Sequence, residues 1–183
     1  ADMLLKPGSQ FDYNGGCYSY PDIQLIYWAG GNPFHHHQDL ARLIRAWQKP
    51  QTVISHEWCW NALARHSDIV LPVTTPVERR DIAMTPLDPY LVSMEPAIEP
   101  VGQARDDYDI FTALSELMGV EVAFTEGRTS EEWQRWLYEV SQQRLSKSGV
   151  ELPAYTSFRE AGWHKLPLPV SYTHLRAHET VSD

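Results

Sequence analysis

The sequence is poor in cysteine, has no excess of basic residues and contains no long apolar run. Its 183 residues include two cysteines, Cys17 and Cys59, which lie far apart and outside any CxxC motif, so neither a disulfide framework nor a structural zinc site is indicated. A net charge of −9 without a cluster of lysine and arginine argues against a nucleic-acid backbone as a partner. No apolar stretch approaches the ~20 residues that cross a bilayer. The composition, 43% apolar and 21% charged, is typical of one globular domain.

The sequence also lacks a recognisable catalytic nucleophile or metal-ligand cluster. The run His35-His36-His37 suggests a metal site, but consecutive residues cannot all converge on one tetrahedral ion. We expect these histidines to donate hydrogen bonds and partial positive charge beside phosphates, with His37 at the start of a helix. No catalytic residue and no metal ligand is therefore predicted.

Residues 24–47 read as a strand, a turn and a helix in immediate succession. The apolar run 25–28 ends at Gly30-Gly31, which predicts a strand covered on both faces. The following helix is predicted by one apolar stripe at i, i+3, i+4 and i+7. Its members are Leu40, Leu43, Ile44 and Trp47.

The turn itself has the composition of a ligand-binding loop. Gly30 and Gly31 let the backbone approach a ligand without an intervening Cβ, and Pro33 stiffens the exit from the turn. Asn32 adds an amide that donates and accepts. Such turns at the carboxyl end of a strand often hold phosphates, although many glycine-containing turns bind nothing.

Further strands at 52–55 and 69–71, separated by a helical segment at 61–66, indicate an α/β fold. Strands spaced by helices imply a mostly parallel, doubly wound, Rossmann-like sheet whose strand ends meet on one side. Glu57 follows the second strand and is expected near Asn32. An acid at that place commonly accepts hydrogen bonds from the ribose or base of a nucleotide; the alternative is a solvated loop carboxylate.

Two helices are predicted after the sheet. The first covers 107–118, with Ile110, Phe111, Leu114, Leu117 and Met118 as its apolar face. The second begins at Thr129, which forms a capping-box pattern with Glu132. Its inner stripe is predicted to consist of Trp133, Trp136, Leu137 and Val140. Prolines in 153–169 discourage regular structure there.

Four segments occur in a recognisable order across residues 21–117. They are GGNPFHHHQDL, HEWCWNALARHSDIVLP, TTPVERRDI and PVGQARDDYDIF. This series resembles the signatures of the dimethyl sulfoxide reductase family of molybdenum enzymes, in the branch of the biotin sulfoxide, trimethylamine N-oxide and dimethyl sulfoxide reductases. Ordered co-occurrence is far more specific than any single glycine-rich turn.

The resemblance implies a domain that helps to hold bis(molybdopterin guanine dinucleotide) molybdenum, in an enzyme that reduces S-oxides or N-oxides by oxygen-atom transfer. It places eight residues against this cofactor: Gly30, Gly31, Asn32, Pro33, His37, Glu57, Asn61 and Asp81. Glu57 and Asn61 would face the guanine end, where a carboxylate can accept both N1–H and N2–H₂. Asp81 would contact the cofactor or brace its own loop.

The sequence departs from the family pattern in two loops. Trp58-Cys59-Trp60-Asn61 stands where the family reads Pro-Trp-Trp-Thr, and Glu78-Arg79-Arg80-Asp81 where it reads Glu-Arg-Asn-Asp. Arg80 puts the role of the second loop in doubt. Two alternatives therefore stay open, a stand-alone nucleotide-binding module and an accessory subunit that kept the fold and lost the cofactor.

The ends of the sequence suggest a piece of a longer protein. Residues 1–169 are predicted to form the cofactor-binding domain. Residues 170–183 contain VSYTHLRAHET, which resembles a translated sequencing adapter, and are expected to be a non-native tail. By the family pattern the serine ligand to molybdenum and the substrate-facing aromatic residues lie outside the matched part.

The resemblance also implies partners. They are a small S-oxide or N-oxide substrate, the remaining domains of the same chain, and a redox donor protein. Family members occur in the periplasm and in the cytoplasm, so neither compartment is predicted.

Overall fold

The structure of the protein is a computed structural model that describes residues 1–85 and 88–167, so the expected non-native tail at 170–183 lies outside the described residues. The chain divides into two compact units. The first unit comprises Ala1–Thr75 and Pro100–Ile110, and the second comprises Pro76–Glu99 and Phe111–Asp183. Each unit has its own buried cluster, and the single cofactor-binding domain expected over residues 1–169 stays a prediction.

The secondary structure elements are as follows in chain order. The helices are α1 (Asp2–Leu5), α2 (Pro33–His36), α3 (Leu40–Trp47), α4 (Asp107–Leu117), α5 (Glu121–Thr125), α6 (Ser130–Ser146) and α7 (Tyr155–Ala161). The strands are β1 (Gln10–Tyr13), β2 (Gly16–Ser19), β3 (Leu25–Trp28), β4 (Thr52–Glu57), β5 (Ile69–Pro72), β6 (Asp81–Thr85), β7 (Asp88–Met94) and β8 (Trp163–Lys165). A 3₁₀ turn covers Ala64–His66. No helix within residues 1–85 and 88–167 is long and apolar enough to cross a membrane.

The first unit contains the parallel sheet that the sequence predicts. Its order is β3-β4-β5, and both neighbouring pairs are parallel. The predicted strands at 25–28, 52–55 and 69–71 are confirmed, and β4 continues to Glu57. Because the three strands lie in sequence order, this sheet alone does not contain the reversal of a doubly wound fold. The doubly wound, Rossmann-like arrangement stays a prediction.

The core of the first unit lies between the sheet and α3. Buried apolar side chains come from α2, α3, β4 and the segment before the 3₁₀ turn, and they are Phe34, Leu43, Trp47, Val53 and Leu63. The ring of Phe34 packs edge-on against Trp47 at 5.6 Å between centroids. This contact anchors the turn that follows β3 to α3.

The predicted helix at 40–47 is confirmed, but its start differs from the expectation. His37 does not open it; His37 is the residue that ends the one-turn helix α2. The Asn32 side chain caps α2, whose first residue is Pro33, while Asp39 caps α3 by accepting from the Arg42 amide. Two capping side chains seven residues apart therefore produce two helices where periodicity indicated one.

The second unit is built on an antiparallel sheet of order β6-β7-β8. Its core consists of Leu91, Tyr138, Leu152, Tyr155 and Phe158. The expectation of irregular structure over 153–169 is wrong, since α7 and β8 lie within it. The prolines flank these two elements and none lies inside them.

The starts of α4 and α6 were predicted correctly, including the Thr129–Glu132 capping box. Their predicted apolar faces are wrong in part. Leu117 is 88% exposed, and the buried residue of α6 is Tyr138. The tryptophans of α6, Trp133 and Trp136, pack on each other and beneath the Arg128 guanidinium instead of entering the core.

Removing a core side chain of the first unit should cost far more stability than removing an exposed one. Leu63 is fully buried and Leu25 is 52% exposed. We expect Leu63→Ala to lower the free energy of unfolding by about 2–5 kcal/mol, and Leu25→Ala by about 0.5 kcal/mol. Urea unfolding followed by circular dichroism measures both, and equal losses would contradict this assignment of the core.

Candidate functional site

A cleft of about 390 Å³ opens in the first unit at the carboxyl end of the parallel sheet. Its walls come from the turn after β3, the end of β4 and the start of α4. The lining residues are Gly30, Gly31, Asn32, His35, His56, Glu57, Trp58, Cys59, Asn61, Val73 and Asp107. We call this space the Glu57 cleft. The structure thus brings together five of the eight predicted site residues.

Gly30 and Gly31 give the turn its shape. Both adopt left-handed backbone conformations, with φ of 78° and 69°, which strain any residue with a side chain. A Cβ at either position would have no neighbour within 4 Å, so the turn faces open space. The Trp28 indole N–H fixes the turn by donating to the Gly30 carbonyl at 2.8 Å.

Asn32 is held at one end and unsatisfied at the other. Its Oδ1 accepts from the Phe34 amide at 3.0 Å and so caps α2. The residue is only 8% exposed, and its Nδ2 has no hydrogen-bond partner in the described structure. A buried donor without a partner costs about 1–3 kcal/mol, and a ligand in the cleft could remove that cost.

Glu57 also has one polar atom that is hydrogen-bonded and one that is not, but its unsatisfied atom is an acceptor, whereas that of Asn32 is a donor. Its Oε2 accepts from Asn61 Nδ2 at 2.7 Å, whereas Oε1 is buried and has no partner among the described residues. Asn61 is itself oriented, because its Oδ1 accepts from the Ala64 amide at 3.1 Å. Burial raises the pKa of Glu57, and the Asn61 hydrogen bond and the nearby His35 partly offset this.

A chain of three polar side chains lies beside Glu57. His56 Nδ1 and Asp107 Oδ1 are 2.6 Å apart, and the Tyr27 hydroxyl lies 2.7 Å from His56 Nε2. Since a carboxylate only accepts, His56 Nδ1 is the donor to Asp107, and His56 Nε2 shares the second hydrogen bond with the Tyr27 hydroxyl. Burial and the Asp107 charge raise the pKa of Tyr27. The chain ties β3, β4 and α4 together directly beside the carboxylate.

Reasoning from the sequence missed Tyr27, His56 and Asp107. Asp107 reaches the cleft because Arg105 pairs with Val73 in a short parallel bridge at the edge of β5. The Arg105 amide donates to the Pro72 carbonyl at 3.1 Å. A single bridge produces no periodic pattern in the sequence. The only available indication was that Asp107 is an acidic residue at the start of a predicted helix.

The remaining predicted site residues lie elsewhere. Pro33 is fully buried as the first residue of α2. His37 is exposed and does not line the cleft, where His35 is found instead. Asp81 belongs to the second unit and begins β6. Their roles as cofactor-binding residues stay predictions.

The second unit has a cavity of its own, of about 510 Å³. It is lined mainly by apolar side chains, among them Ile82, Leu91 and Leu145. Over residues 1–85 and 88–167 there is no group of three or more histidine, cysteine, aspartate or glutamate side chains that could hold a metal ion. Two lining residues of the Glu57 cleft, Asn32 and Glu57, each have an unsatisfied buried polar atom, whereas the mainly apolar cavity of the second unit has one such atom, on Gln134. We therefore take the Glu57 cleft as the candidate site.

Comparison with known families agrees with the resemblance in the sequence. Residues 6–117 match the family model described as molybdopterin oxidoreductase. The chain belongs to the molybdopterin oxidoreductase family. The matched segment contains every residue that lines the Glu57 cleft, and membership implies a molybdenum-pterin cofactor.

Individual relatives point to one branch of this molybdopterin oxidoreductase family. The chain is 45% identical to a biotin sulfoxide reductase of Cereibacter sphaeroides over 97% of its length, 43% identical to a dimethyl sulfoxide/trimethylamine N-oxide reductase of the same organism over 91%, and 44% identical to a trimethylamine-N-oxide reductase of Haemophilus influenzae over 86%. It spans only 24%, 21% and 19% of these relatives.

The match to the biotin sulfoxide reductase bears on residues 170–183, the segment expected to be a non-native tail. Because it covers 97% of the sequence, it extends into residues 170–183. The non-native origin of that segment stays a prediction.

One solved structure shares the fold. Acetylene hydratase from Pelobacter acetylenicus superposes with a TM-score of 0.60 over 92% of this chain and 20% of that protein, at 18% sequence identity. At this identity the likeness concerns the fold alone.

The buried carboxylate should make the ligand-free protein less stable at neutral pH than its amide variant. Below the ordinary pKa of 4.5 Glu57 is neutral in the folded and the unfolded chain, and as pH rises through the raised pKa the folded state must carry a buried charge. We therefore expect Glu57→Gln to melt at a higher temperature than the wild type at about pH 8, with the difference disappearing near pH 3.5.

Thermal melts across this pH range measure the effect. Glu139→Gln is the matched control, since Glu139 is exposed. A Glu57→Gln variant that is equally or less stable than the wild type at every pH would show that the carboxylate carries no such cost.

Proposed function

We propose that this chain holds one guanine dinucleotide arm of a bis(molybdopterin guanine dinucleotide) cofactor, as part of an enzyme that reduces S-oxides or N-oxides by oxygen-atom transfer. Family membership and the reductase relatives support the enzyme class. The observation that carries the assignment of the site is the pair of unsatisfied buried atoms, Asn32 Nδ2 and Glu57 Oε1.

The hydrogen-bonding capacity of these two atoms, one donor and one acceptor, complements the edge of a guanine base. Guanine presents N–H donors at N1 and N2 and an acceptor at O6, whereas adenine presents a donor at N6 and acceptors at its ring nitrogens. An ionised Glu57 offers Oε1 as an acceptor for the guanine donors, and Asn32 offers a donor. Asn61 keeps the second carboxylate oxygen occupied, which fixes the orientation of Oε1.

The phosphate groups of the dinucleotide suit the glycine turn of the cleft. Gly30 and Gly31 present backbone without side chains towards open space, which allows the close approach that a pyrophosphate requires. His35 also lines the cleft and supplies an N–H donor that becomes cationic on protonation. His37, which is exposed outside the cleft, would supply a further donor beside it.

The protein and the cofactor would have different roles in the enzyme. When bound, the molybdenum centre supplies the redox and oxygen-transfer chemistry, while this part of the chain binds and orients the dinucleotide. The three-stranded sheet would belong to a larger, doubly wound, Rossmann-like sheet. Pro33 would brace the binding turn from within the core. Asp81 would support its loop in the second unit, where its Oδ1 accepts from the Ile82 amide at 2.8 Å.

The reductase relatives are several times longer than this chain, so we include further domains of the same polypeptide among its partners. The remaining domains of the same polypeptide would cover apolar side chains that the second unit leaves open, such as Leu117, Met118 and Val122, which are 88%, 67% and 76% exposed. A small S-oxide or N-oxide would be the substrate, and a redox donor protein would supply electrons.

The departure at Arg80 does not favour a subunit without cofactor. Within the second unit its guanidinium pairs with Glu95 at 2.8 Å and with Glu131 at 3.5 Å. A structural role therefore accounts for the charge. The stand-alone nucleotide-binding module is not favoured either, since the similar proteins are reductases several times longer than this chain.

Asn32→Asp separates the capping role of this residue from its ligand-binding role. The aspartate keeps an oxygen for the Phe34 amide but replaces the free donor with an acceptor. We expect the wild-type chain to bind GDP at least about tenfold more tightly than ADP, and Asn32→Asp to lose about tenfold or more in GDP affinity, since each unmade buried hydrogen bond costs about 1–3 kcal/mol.

Isothermal titration with GDP and with ADP gives both comparisons. Asn14→Asp is the control, because it makes the same change of charge at an exposed turn of the first unit. Equal affinities for GDP and ADP, or unaltered GDP binding by Asn32→Asp, would refute the proposed guanine site.

A further inference from the structure

Trp58 is an exposed aromatic residue at the mouth of the Glu57 cleft. It directly follows Glu57 at the end of β4, lines the cleft and is 67% exposed. Its indole makes no hydrogen bond, ion pair or ring contact with the residues that the structure describes. A tryptophan buries about 150–250 Å² when it is covered, so an uncovered indole beside a binding cleft is a surface suited to a flat, apolar ligand face.

The floor of the same cleft requires a ligand with hydrogen-bonding groups. Asn32 and Glu57 are 8% and 7% exposed, and each has one buried polar atom without a partner. A purine base combines the two requirements, because its edge carries donors and acceptors while its faces are apolar π surfaces.

We propose that the Trp58 indole stacks on the face of the purine base whose edge is bound by Glu57. The inference rests on the proposed function, since the base is the guanine of the dinucleotide. Stacking depends on the π face that every base has, whereas edge contacts distinguish one base from another. Trp58 would therefore supply affinity without specificity, and Glu57 with Asn32 would supply specificity.

This division of roles gives Trp58→Ala a distinctive signature. Loss of one stacked base contact weakens binding by about fivefold to 140-fold, equivalent to about 1–3 kcal/mol at 1.4 kcal/mol per tenfold. We expect that loss for GDP and for ADP alike, so that the ratio of the two affinities stays unchanged. Trp58→Phe keeps an aromatic face and should recover most of the affinity.

Trp60 provides a matched control two residues away. It is 70% exposed but does not line the cleft, so Trp60→Ala should bind GDP and ADP as the wild type does. Fluorescence gives a second readout, because stacking on a base quenches an indole. GDP should quench the emission of the wild type and of Trp60→Ala more than that of Trp58→Phe.

The experiment is titration of the full chain and its three variants with GDP and with ADP, by calorimetry and by fluorescence. A parallel loss of both affinities in Trp58→Ala alone supports the inference. Wild-type discrimination between GDP and ADP combined with an unchanged Trp58→Ala overturns it and leaves the guanine site intact. Equal losses in Trp58→Ala and Trp60→Ala overturn it also. Equal binding of GDP and ADP by the wild type contradicts the proposed function itself.

Discussion

The candidate site depends on a carboxylate that is buried with one of its two oxygens unsatisfied. Removing a charge from water is costly, and burial accordingly raises the pKa of Glu57. Folding alone does not offset this cost, since Asn61 occupies only Oε2. A buried acceptor of this kind is expected where a ligand with donors completes the set of hydrogen bonds.

The surrounding structure holds that carboxylate in place from several directions. β4 lies between two parallel neighbours: β3 pairs with it as far as Ser55, and β5 pairs with it through Glu57 itself. Asn61 is oriented by the Ala64 amide, and the adjacent His56 is held between Tyr27 and Asp107. A binding group whose neighbours are themselves locked loses little conformational freedom on binding. The site is therefore pre-organised by the sheet.

The sequence predicted the local parts of this arrangement well. Short apolar runs predicted the three parallel strands, and the meeting of their carboxyl ends predicted that Glu57 and Asn32 would share a cleft. Both expectations depend on local rules: a short apolar run forms a strand, and the carboxyl ends of parallel strands lie at the same edge of the sheet. Capping side chains were also readable, as the Thr129–Glu132 box shows.

The parts that were missed depend on contacts between distant segments. Asp107 reaches His56 across 51 residues through a single bridge at Arg105, for which the sequence carries no periodic signal. The apolar faces of α4 and α6 were wrong in part because apolar periodicity does not distinguish a side chain that enters the core from one that stays on the surface, such as Leu117, or one that packs under an arginine, such as Trp136. The antiparallel sheet of the second unit was not predicted, since β8 pairs with a strand more than 60 residues earlier.

The most direct test of the central claim is the molybdenum and guanine nucleotide content of the full-length protein, purified from cells that make the cofactor, with Glu57 and with Glu57→Gln. Because the carboxylate is proposed to hold the guanine end, we expect the wild type to carry both and the variant to have lost most of each. Unchanged molybdenum and guanine in a folded Glu57→Gln protein would contradict the account.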